Sequence, residues 1–375
     1  MENCKLPREL LIEILARLPV KSLMRFKSFC KFFYSLIKSD NHFQHKHYEI
    51  SRVRRDYVIF QREIGIREFP LRDEVFGLVC KELDSDEIGC VDLVMPKLGK
   101  VKCIDGILCL IAHRTTDGTR NIWIWNPSTR EIKALPPVSA PHNFFSDQMR
   151  EVVGFGFCNN MTGKVIIFWS SYDGCVCKVM VCNQVDNLWG WREINQYPHF
   201  DSLWATSDYD IYLKGKYYWY LCAYPGDEIK QYLLWFDMSA ESFGTISLPF
   251  NPPEQYGNGG KAFIRCMVSV MNDTIALIGY REQRSEVWLM IENDSDVNWH
   301  KYACFDNGND YWQPMQIWNQ DRHLLICRTG AEEDDREPHL VSIDLVTGEK
   351  KKRLNNIDTF SEKCFLAYSE SLKMF

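Results

Sequence analysis

The sequence predicts a mainly β protein, in which a six-bladed β-propeller follows a small all-α domain. Three observations lead to this prediction. The first 50 residues place apolar side chains at helical spacing. The rest of the chain consists of short runs rich in Val, Ile, Tyr, Trp and Phe, broken by Gly, Asn and Asp. One strand–turn–strand unit also recurs at a nearly constant period. We therefore assign residues 1–50 to the helical domain and residues 51–375 to the propeller.

The composition excludes several classes of protein. The chain has 375 residues, of which 46% are hydrophobic and 25% charged, so wholesale disorder is excluded. No apolar run approaches the roughly 18 residues of a membrane helix, and charged residues occupy the place of a secretory h-region. The fifteen cysteines include no C-x-x-C pair, which favours reduced thiols. We expect a soluble, cytoplasmic protein with no membrane partner.

The charge is distributed unevenly along the chain. Residues 1–55 hold 12 basic and 5 acidic residues, a net charge of +7, whereas the remainder holds 32 basic and 45 acidic residues, a net charge of −13. Such asymmetry indicates two parts with different partners. The acidic body argues against nucleic acid, because phosphate attraction dominates that binding. It favours a basic protein partner.

The N-terminal apolar residues predict two helices. The first carries a stripe made of Leu10, Leu11, Ile14, Leu15 and Leu18. Pro19 ends this helix, because a proline disfavours the α conformation of the residue before it. A second run follows Ser22 as its N-cap and has Leu23, Phe26, Cys30 and Phe33 on one face. Two interpretations remain open: a helical cap packed on the main domain, or a stripe that docks into a partner's groove.

Residues 6–43 resemble the F-box of plant F-box proteins. The matching segments are Leu6-Pro7, Glu13-Ile14-Leu15, Arg17 to Leu23 (RLPVKSL), Arg25-Phe26-Lys27, Cys30-Lys31 and Leu36-Ile37. Phe33 stands where the family usually has Trp. The resemblance implies binding to the small acidic Skp-type adaptor of a cullin-RING ubiquitin ligase and, through it, to a cullin and a RING protein. The implied adaptor-binding residues are Leu6, Pro7, Leu11, Ile14, Leu15, Leu18, Pro19, Val20, Leu23 and Phe33.

The body contains five copies of a repeated unit. Their anchor positions are Asn126, Asn183, Asp237, Ile291 and Asp344, which are 57, 54, 54 and 53 residues apart. A second hairpin type lies between the copies, so each period contains about four strands, as in a propeller blade. About six such periods fit the body. We expect the strand at residues 57–60 to share a blade with the strand at residues 365–368, which hides sheet edges. A pair of β-sandwiches is the alternative.

The body also resembles the kelch-like F-box-associated domain of plant F-box proteins, most closely the S-locus group. The matching segments are residues 56–62, 125–130, 135–137, 153–157, 235–239, 276–280 and 342–349. The run Gly163 to Ile167 departs from the S-locus pattern, which usually has Tyr-Lys-Val-Val there. The S-locus resemblance implies that the propeller captures basic S-ribonucleases in the pollen tube cytosol during self-incompatibility.

Three acidic stretches are candidate substrate-binding sites. Loops on a propeller face commonly bind partners, and clustered like charges steer a basic protein and set selectivity. Solvated loops without a partner are the alternative for each stretch. The candidate residues are Glu82, Asp84, Asp86 and Glu87, then Asp201, Asp208 and Asp210, then Glu332, Glu333, Asp334 and Asp335.

No catalytic motif is found, so we predict a receptor that is not an enzyme and needs no cofactor or metal. The sequence lacks G-x-S-x-G, a P-loop and H-E-x-x-H. Neither His42, His45 and His47 nor Cys175, Cys177 and Cys182 form a four-ligand metal set. A copper oxidase would need converging His and Tyr ligands. A glycan-binding propeller is the other alternative, and its stacking residues would be Trp204, Tyr217, Tyr218, Trp219, Tyr224 and Trp312, most of which we expect in the core.

Overall fold

The structure is a computed structural model, in which the chain divides into two compact units. Unit 1 comprises Met1–His113, Asn121–Leu135 and Thr359–Phe375, and unit 2 comprises Arg114–Arg120 and Pro136–Asp358. The structure describes residues 7–54, 57–64, 75–82, 91–96, 98–141, 149–158, 162–171, 176–185, 188–195, 204–223, 230–249, 265–281, 284–292, 296–306, 311–318, 323–329, 339–354 and 365–373.

Four helices open unit 1. They are α1 (Arg8–Leu15), α2 (Val20–Lys27), α3 (Lys31–Ser39) and α4 (Asn41–Arg54). The second helix begins at Val20, two residues before the predicted N-cap Ser22, because Pro19 with φ near −58° already serves as the N-cap residue. The long second run divides into α2 and α3 at Cys30, whose backbone is extended. None of the described helices has the length and apolar character needed to cross a membrane.

The helices enclose a small core of their own. Apolar residues from all four helical segments and from the C-terminus meet in it: Leu15, Ala16, Val20, Leu23, Leu36, Ile37, Phe43 and Leu372. The Asp40 carboxylate accepts a hydrogen bond from the Phe43 amide at 2.9 Å and so fixes the start of α4. Helix α4 continues to Arg54 and therefore crosses the predicted domain boundary at residue 50.

The rest of the described chain is β structure. In chain order the first thirteen strands are β1 (Tyr57–Ile64), β2 (Val75–Glu82), β3 (Val91–Pro96), β4 (Leu98–Ile104), β5 (Ile107–Ala112), β6 (Thr119–Arg120), β7 (Ile122–Asn126), β8 (Glu131–Ala134), β9 (Val138–Ser139), β10 (Met149–Phe157), β11 (Gly163–Ser171), β12 (Val176–Val185) and β13 (Leu188–Glu193). The others are β14 (Trp204–Leu213), β15 (Lys216–Ala223), β16 (Lys230–Asp237), β17 (Phe243–Ser247), β18 (Arg265–Met271), β19 (Thr274–Arg281), β20 (Arg284–Glu292), β21 (Val297–Asp306), β22 (Tyr311–Trp318), β23 (His323–Thr329), β24 (His339–Asp344), β25 (Lys350–Leu354) and β26 (Phe365–Tyr368).

The described strands form six four-stranded antiparallel sheets and one short ribbon, β6-β9. Unit 1 holds sheet 1 (β26-β1-β2-β3) and sheet 2 (β4-β5-β7-β8). Unit 2 holds sheet 3 (β10 to β13), sheet 4 (β14 to β17), sheet 5 (β18 to β21) and sheet 6 (β22 to β25). The predicted pairing of the two chain ends is confirmed: β1 aligns Tyr57 with Tyr368 and Phe60 with Phe365.

The predicted repeat is confirmed in register and has a hydrogen-bonding cause. All five anchor positions lie in the third strand of their sheet. At three of them, Asn126, Asp237 and Asp344, the side-chain Oδ1 accepts the backbone N–H groups two and three residues later. The fourth residue after each of these anchors has a positive φ. This turn leads from the third strand to the fourth, so a short polar acceptor recurs at the period of the sheets.

The hairpin between the first two strands of a sheet also recurs. Its two turn residues both have positive φ in Asp105-Gly106, Lys214-Gly215 and Asn272-Asp273. This backbone matches a type I′ turn, whose twist suits the right-handed twist of the flanking strands. The two hairpin types alternate along the chain and build one four-stranded sheet per period.

Within each unit, consecutive sheets pack face to face. In unit 1, residues of sheets 1 and 2 form one core: Ile59, Leu98, Val101, Leu108, Leu110, Trp125 and Tyr368. In unit 2, one core includes Tyr218, Leu233, Val268 and Leu277, and another includes Met267, Ile278, Leu324 and Ile343. Stacked four-stranded sheets of this kind are the packing of propeller blades.

A buried ion pair joins sheets 3 and 4 in unit 2. The Lys164 ammonium, on a side chain that is 6% exposed, lies 2.5 Å from the Glu241 carboxylate. Arg192 binds the same carboxylate, and the backbone carbonyl of Met238 accepts a hydrogen bond from Lys164. A buried charge of this kind is tolerated only when it is paired and hydrogen-bonded.

Candidate functional site

The helical domain divides the predicted adaptor-binding residues into three groups. Leu15, Val20 and Leu23 are buried in the helical core, so they cannot contact a partner without unfolding it. The F-box resemblance implied them as adaptor-binding residues, but neither a resemblance nor an apolar stripe shows whether a residue faces a partner or its own domain. Their contribution is to hold α1 and α2 in place.

The other predicted residues are closer to the surface. Leu11, Leu18 and Phe33 are half-buried and pack against the edge of the core. Pro7, Ile14 and Pro19 are exposed. Leu6 lies outside the described residues. The exposed and half-buried members are therefore the ones available to a partner.

An exposed aromatic cluster lies on α2, α3 and the turn between them. It consists of Phe26, Phe29, Phe32 and Phe33, and the ring of Phe33 lies 5.6 Å from Phe26, 6.4 Å from Phe29 and 5.5 Å from Phe32. Phe29 is 81% exposed, Phe32 is 42% exposed and Phe26 is 39% exposed. Grouped exposed aromatic residues mark interaction surfaces. The sequence prediction included only Phe33, although FKSFCKFF shows four phenylalanines within eight residues.

Cationic side chains accompany the aromatic cluster on the same two helices. Arg25, Lys31 and Lys38 are exposed. The Lys38 ammonium donates a 3.0 Å hydrogen bond to the Tyr34 hydroxyl, and this hydrogen bond lowers the pKa of Tyr34. Lys27 also lies over the Tyr34 ring, 5.6 Å from its centroid. An apolar surface among positive charges suits an acidic partner with an apolar groove.

Helix α1 is connected to α4 by an ion pair. The Glu13 carboxylate contacts Lys46 of α4 and lies 2.9 Å from Arg17 of its own helix. The hydrogen bonds from Lys46 and Arg17 lower the pKa of Glu13. Surface pairs of this kind contribute little stability.

Most of the predicted acidic surface lies outside the described residues. This holds for Asp84, Asp86, Glu87, Asp201, Glu332, Glu333, Asp334 and Asp335. Glu82 is the last residue of β2, and Asp208 and Asp210 lie in β14. Asp210 is half-buried and pairs across the sheet with Trp219. The acidic target surface stays a prediction.

The candidate metal ligands do not converge. His42 and His45 are exposed, whereas His47 is buried and its Nε2 donates to the Leu18 carbonyl at 3.0 Å. Burial raises the pKa of Cys182 to about 12, which keeps this thiol protonated and makes it a poor ligand. Cys175 and the Cys177 side chain lie outside the described part of the chain. Within that part, no group of three His, Cys, Asp or Glu side chains could hold a metal ion.

The aromatic residues considered for glycan stacking are partly accounted for by the core. Tyr217, Tyr218 and Trp219 are buried within sheet 4. The Trp219 ring fills the space beside Gly154, where an added Cβ would lie 2.6 Å from it. The prediction that these three are core residues is confirmed, whereas the side chains of Trp204, Tyr224 and Trp312 are not described.

Two family profiles match the chain. The F-box domain matches residues 4–45, and the F-box associated beta propeller domain matches residues 81–373. The chain belongs to the F-box-associated β-propeller family. It is an F-box protein in which a small helical F-box precedes a β-propeller domain.

Relatives of this F-box protein occur in Arabidopsis thaliana. An F-box/kelch-repeat protein is 25% identical over 366 residues, covering 89% of this chain and 86% of the relative. A second relative, an F-box protein, is 26% identical over 328 residues, covering 82% of this chain and 80% of the relative. Among solved structures, the β-propeller domain of the Trilobed protease from Pyrococcus furiosus aligns with a TM-score of 0.43 at 10% identity, covering 82% and 95%. A likeness at that level bears on neither activity nor partners.

An F-box joined to a propeller is the arrangement of a substrate-recognition protein. The F-box implies binding to a Skp-type adaptor, and the propeller is the part of the chain left to recognise a target. F-box proteins are typically non-catalytic substrate adaptors.

Proposed function

We propose that this F-box protein is the substrate receptor of an SCF-type cullin-RING ubiquitin ligase in the cytosol. Residues 1–50 bind the Skp-type adaptor and, through it, the cullin and the RING protein. Residues 51–375 form a kelch-like, six-bladed propeller that captures the target. The single observation that carries the proposal is the exposed aromatic cluster on a domain identified as an F-box.

The aromatic cluster supports adaptor binding because the described part of the helical domain leaves Phe26, Phe29 and Phe32 exposed to solvent. Phe29 leaves most of its side chain in water, and burying such a ring against a partner gains about 1.5–3 kcal/mol. Exposed cations on α2 and α3 add attraction to an acidic adaptor. Pro7, Ile14 and Pro19 extend the exposed apolar surface on α1 and at the start of α2.

The propeller's charge indicates the class of target. Residues 56–375 carry a net charge of −13, which favours a basic protein. Within this class, the specific target that we propose is a basic S-ribonuclease. This proposal rests on the resemblance of the sequence to the S-locus group. The receptor would contribute proximity: it would hold a target lysine near the ubiquitin-carrying enzyme and raise its effective concentration.

The first experiment tests adaptor binding. The full chain is co-expressed with a Skp-type adaptor, purified through a tag on the adaptor, and then offered a cullin–RING complex. We expect a stoichiometric complex that Phe29→Asp disrupts, while Leu188→Asp, at a 74% exposed residue of unit 2, leaves it intact. An intact complex with the Phe29→Asp protein would contradict the proposed docking surface.

The second experiment tests the target class. The adaptor-bound receptor is titrated against a panel of basic S-ribonucleases and against unrelated basic proteins, at low and moderate salt. Selective binding to some S-ribonucleases that weakens with salt would support both the narrower target and the acidic docking surface. If the receptor binds the adaptor but none of the S-ribonucleases, the proposed target is wrong, whereas the proposed role as a ligase receptor stands.

A further inference from the structure

The last described residues of the chain form a strap between the F-box helices and sheet 2. We call residues 369–373, which follow β26, the C-terminal strap. Chain ends usually fray unless contacts hold them. Here Ser371 and Leu372 are both 0% exposed. The strap is therefore a packed part of unit 1.

Two side chains of the strap bind the helical domain. The Glu370 carboxylate accepts a 3.0 Å hydrogen bond from the backbone amide of Val20 at the start of α2. The adjacent N-cap residue Pro19 makes no side-chain cap hydrogen bond, so Glu370 supplies from the opposite end of the chain the acceptor that a helix N-terminus needs. Its negative charge also favours the positive end of the helix dipole. Leu372 fills the core of the helices beside Leu23 and Ile37.

The alternating residues of the strap bind sheet 2. The buried Asn126 amide donates to the carbonyls of Ser371 at 2.9 Å and Lys373 at 2.8 Å. The Lys373 ammonium lies 2.8 Å from the Asp105 carboxylate in the β4–β5 turn. At Gly106 in the same turn, an added Cβ would lie 2.3 Å from a strap carbonyl oxygen, so the two backbones touch.

These contacts give the helical domain a second attachment. Along the chain, α4 ends at Arg54 and β1 begins at Tyr57, so one short covalent link joins the helices to the sheets. A covalent link alone would leave rotation free, whereas a second attachment at a distant point restricts it. The strap supplies this second point, because one face of it is built into the helical core and the other is hydrogen-bonded to sheet 2.

We propose that the C-terminal strap positions the adaptor-binding helices on sheet 2 of unit 1, with Glu370 and Leu372 as the positioning residues. The proposal rests on the proposed ligase function, in which the span from adaptor to target decides which lysines the ubiquitin-carrying enzyme reaches. The strap fixes the orientation of the helices on sheet 2, which is one determinant of this span.

The test compares two matched double variants of the full chain. Glu370→Ala/Leu372→Ala releases the strap from the helices. Glu349→Ala/Leu345→Ala makes the same two changes in unit 2, at an exposed glutamate and a buried leucine. Nitroxide labels are carried by unnatural amino acids at two exposed positions, residue 45 in α4 and residue 134 in β8. Pulsed electron paramagnetic resonance then measures the distribution of label distances.

We expect one narrow distance peak for the unvaried chain and for the unit 2 control. The strap variant should at least double the width of the peak, while its adaptor Kd changes less than about threefold. Leu372→Met, which keeps the volume, should retain the narrow peak. An unchanged width in a folded strap variant would overturn the proposal.

Two further measurements cover the cases in which the double variant does not fold or the chain does not bind an adaptor. If the double variant does not fold, Glu370→Ala alone replaces it, and hydrogen exchange of the Val20 amide should quicken severalfold, whereas Glu370→Gln, which keeps an acceptor oxygen, should change it much less. Unchanged exchange in the Glu370→Ala protein would overturn the role of Glu370. If the unvaried chain fails to bind any Skp-type adaptor, the proposed ligase function is contradicted, and the distance measurement still tests whether the strap fixes the helices. The distance measurement needs no adaptor, so failure of the strap and failure of the proposed function are separately visible.

Discussion

Truncation of one exposed ring, Phe29→Ala, should nearly abolish adaptor binding without unfolding the F-box. Aromatic side chains bury about 150–250 Å² each, and 81% of this ring is exposed. About 160 Å² is then available, worth about 4 kcal/mol at 25 cal/mol per Å² as an upper bound. Ordering costs at an interface lower this figure, and we expect about 2–3 kcal/mol.

The assay is isothermal titration of the full chain with a Skp-type adaptor. At 1.4 kcal/mol per tenfold, the expected loss raises Kd by about 30- to 140-fold. The free energy of unfolding should fall by less than about 1 kcal/mol, because the side chain is exposed and its contact with Phe33 is an edge contact at 6.4 Å.

Leu188→Ala is the matched control, since this residue is also large, apolar and exposed but lies in unit 2. Its Kd should stay within twofold of the unvaried chain. A Phe29→Ala protein with native helical circular dichroism and a Kd within twofold would refute the assignment of the aromatic cluster as the docking surface.

Three further changes test the fold. Burial alone would raise the pKa of Glu241, but hydrogen bonds from Arg192 and Lys164 outweigh burial and lower this pKa. The ionised Glu241 carboxylate therefore stabilises the folded state above the unfolded pKa of about 4.3. This stabilisation is lost as the pH falls through the lower pKa of the folded state. Glu241→Ala should cost about 3 kcal/mol in urea unfolding at pH 7 and much less near pH 3, and an equal loss at both would contradict the ion pair. Gly106→Ala should cost about 2–4 kcal/mol, because its φ is +73° and the strap leaves no room for a Cβ; a protein of native Tm would count against this contact. Asp237→Ala should cost about 1–2 kcal/mol in thermal unfolding, whereas Asp237→Asn, which keeps the turn acceptor, should be nearly neutral; similar losses for the two would rule out the turn hydrogen bonds as the cause.

The sequence determined the repeat and the closure of sheet 1. The side chains of Asn126, Asp237 and Asp344 accept hydrogen bonds from the backbone N–H groups two and three residues later, so the period of these polar residues is visible without a structure. The pairing of residues 57–60 with 365–368 also followed from the sequence, because strands that precede and follow the repeated four-strand units can hide their edges by completing one sheet together.

Only the tertiary structure decided which apolar residues of the F-box are exposed. On α1, Leu15 is buried while its neighbour Ile14 is exposed, and on α2 Leu23 is buried while Phe26 is exposed. All four fit the same apolar helical pattern. The difference arises because α3, α4 and Leu372 cover one side of α1 and α2. Spacing along one helix gives its apolar face, but the neighbours that cover that face come from distant parts of the chain.

The C-terminal strap shows the same limit most clearly. Nothing in the local sequence around Glu370 indicates a helix cap, since the helix it serves begins at Val20, 350 residues away. Local hydrogen bonds and periodic burial are encoded by neighbouring residues and can be predicted from the sequence. Contacts between the two ends of the chain depend on how the sheets bring those ends together, so they become visible only in the folded protein.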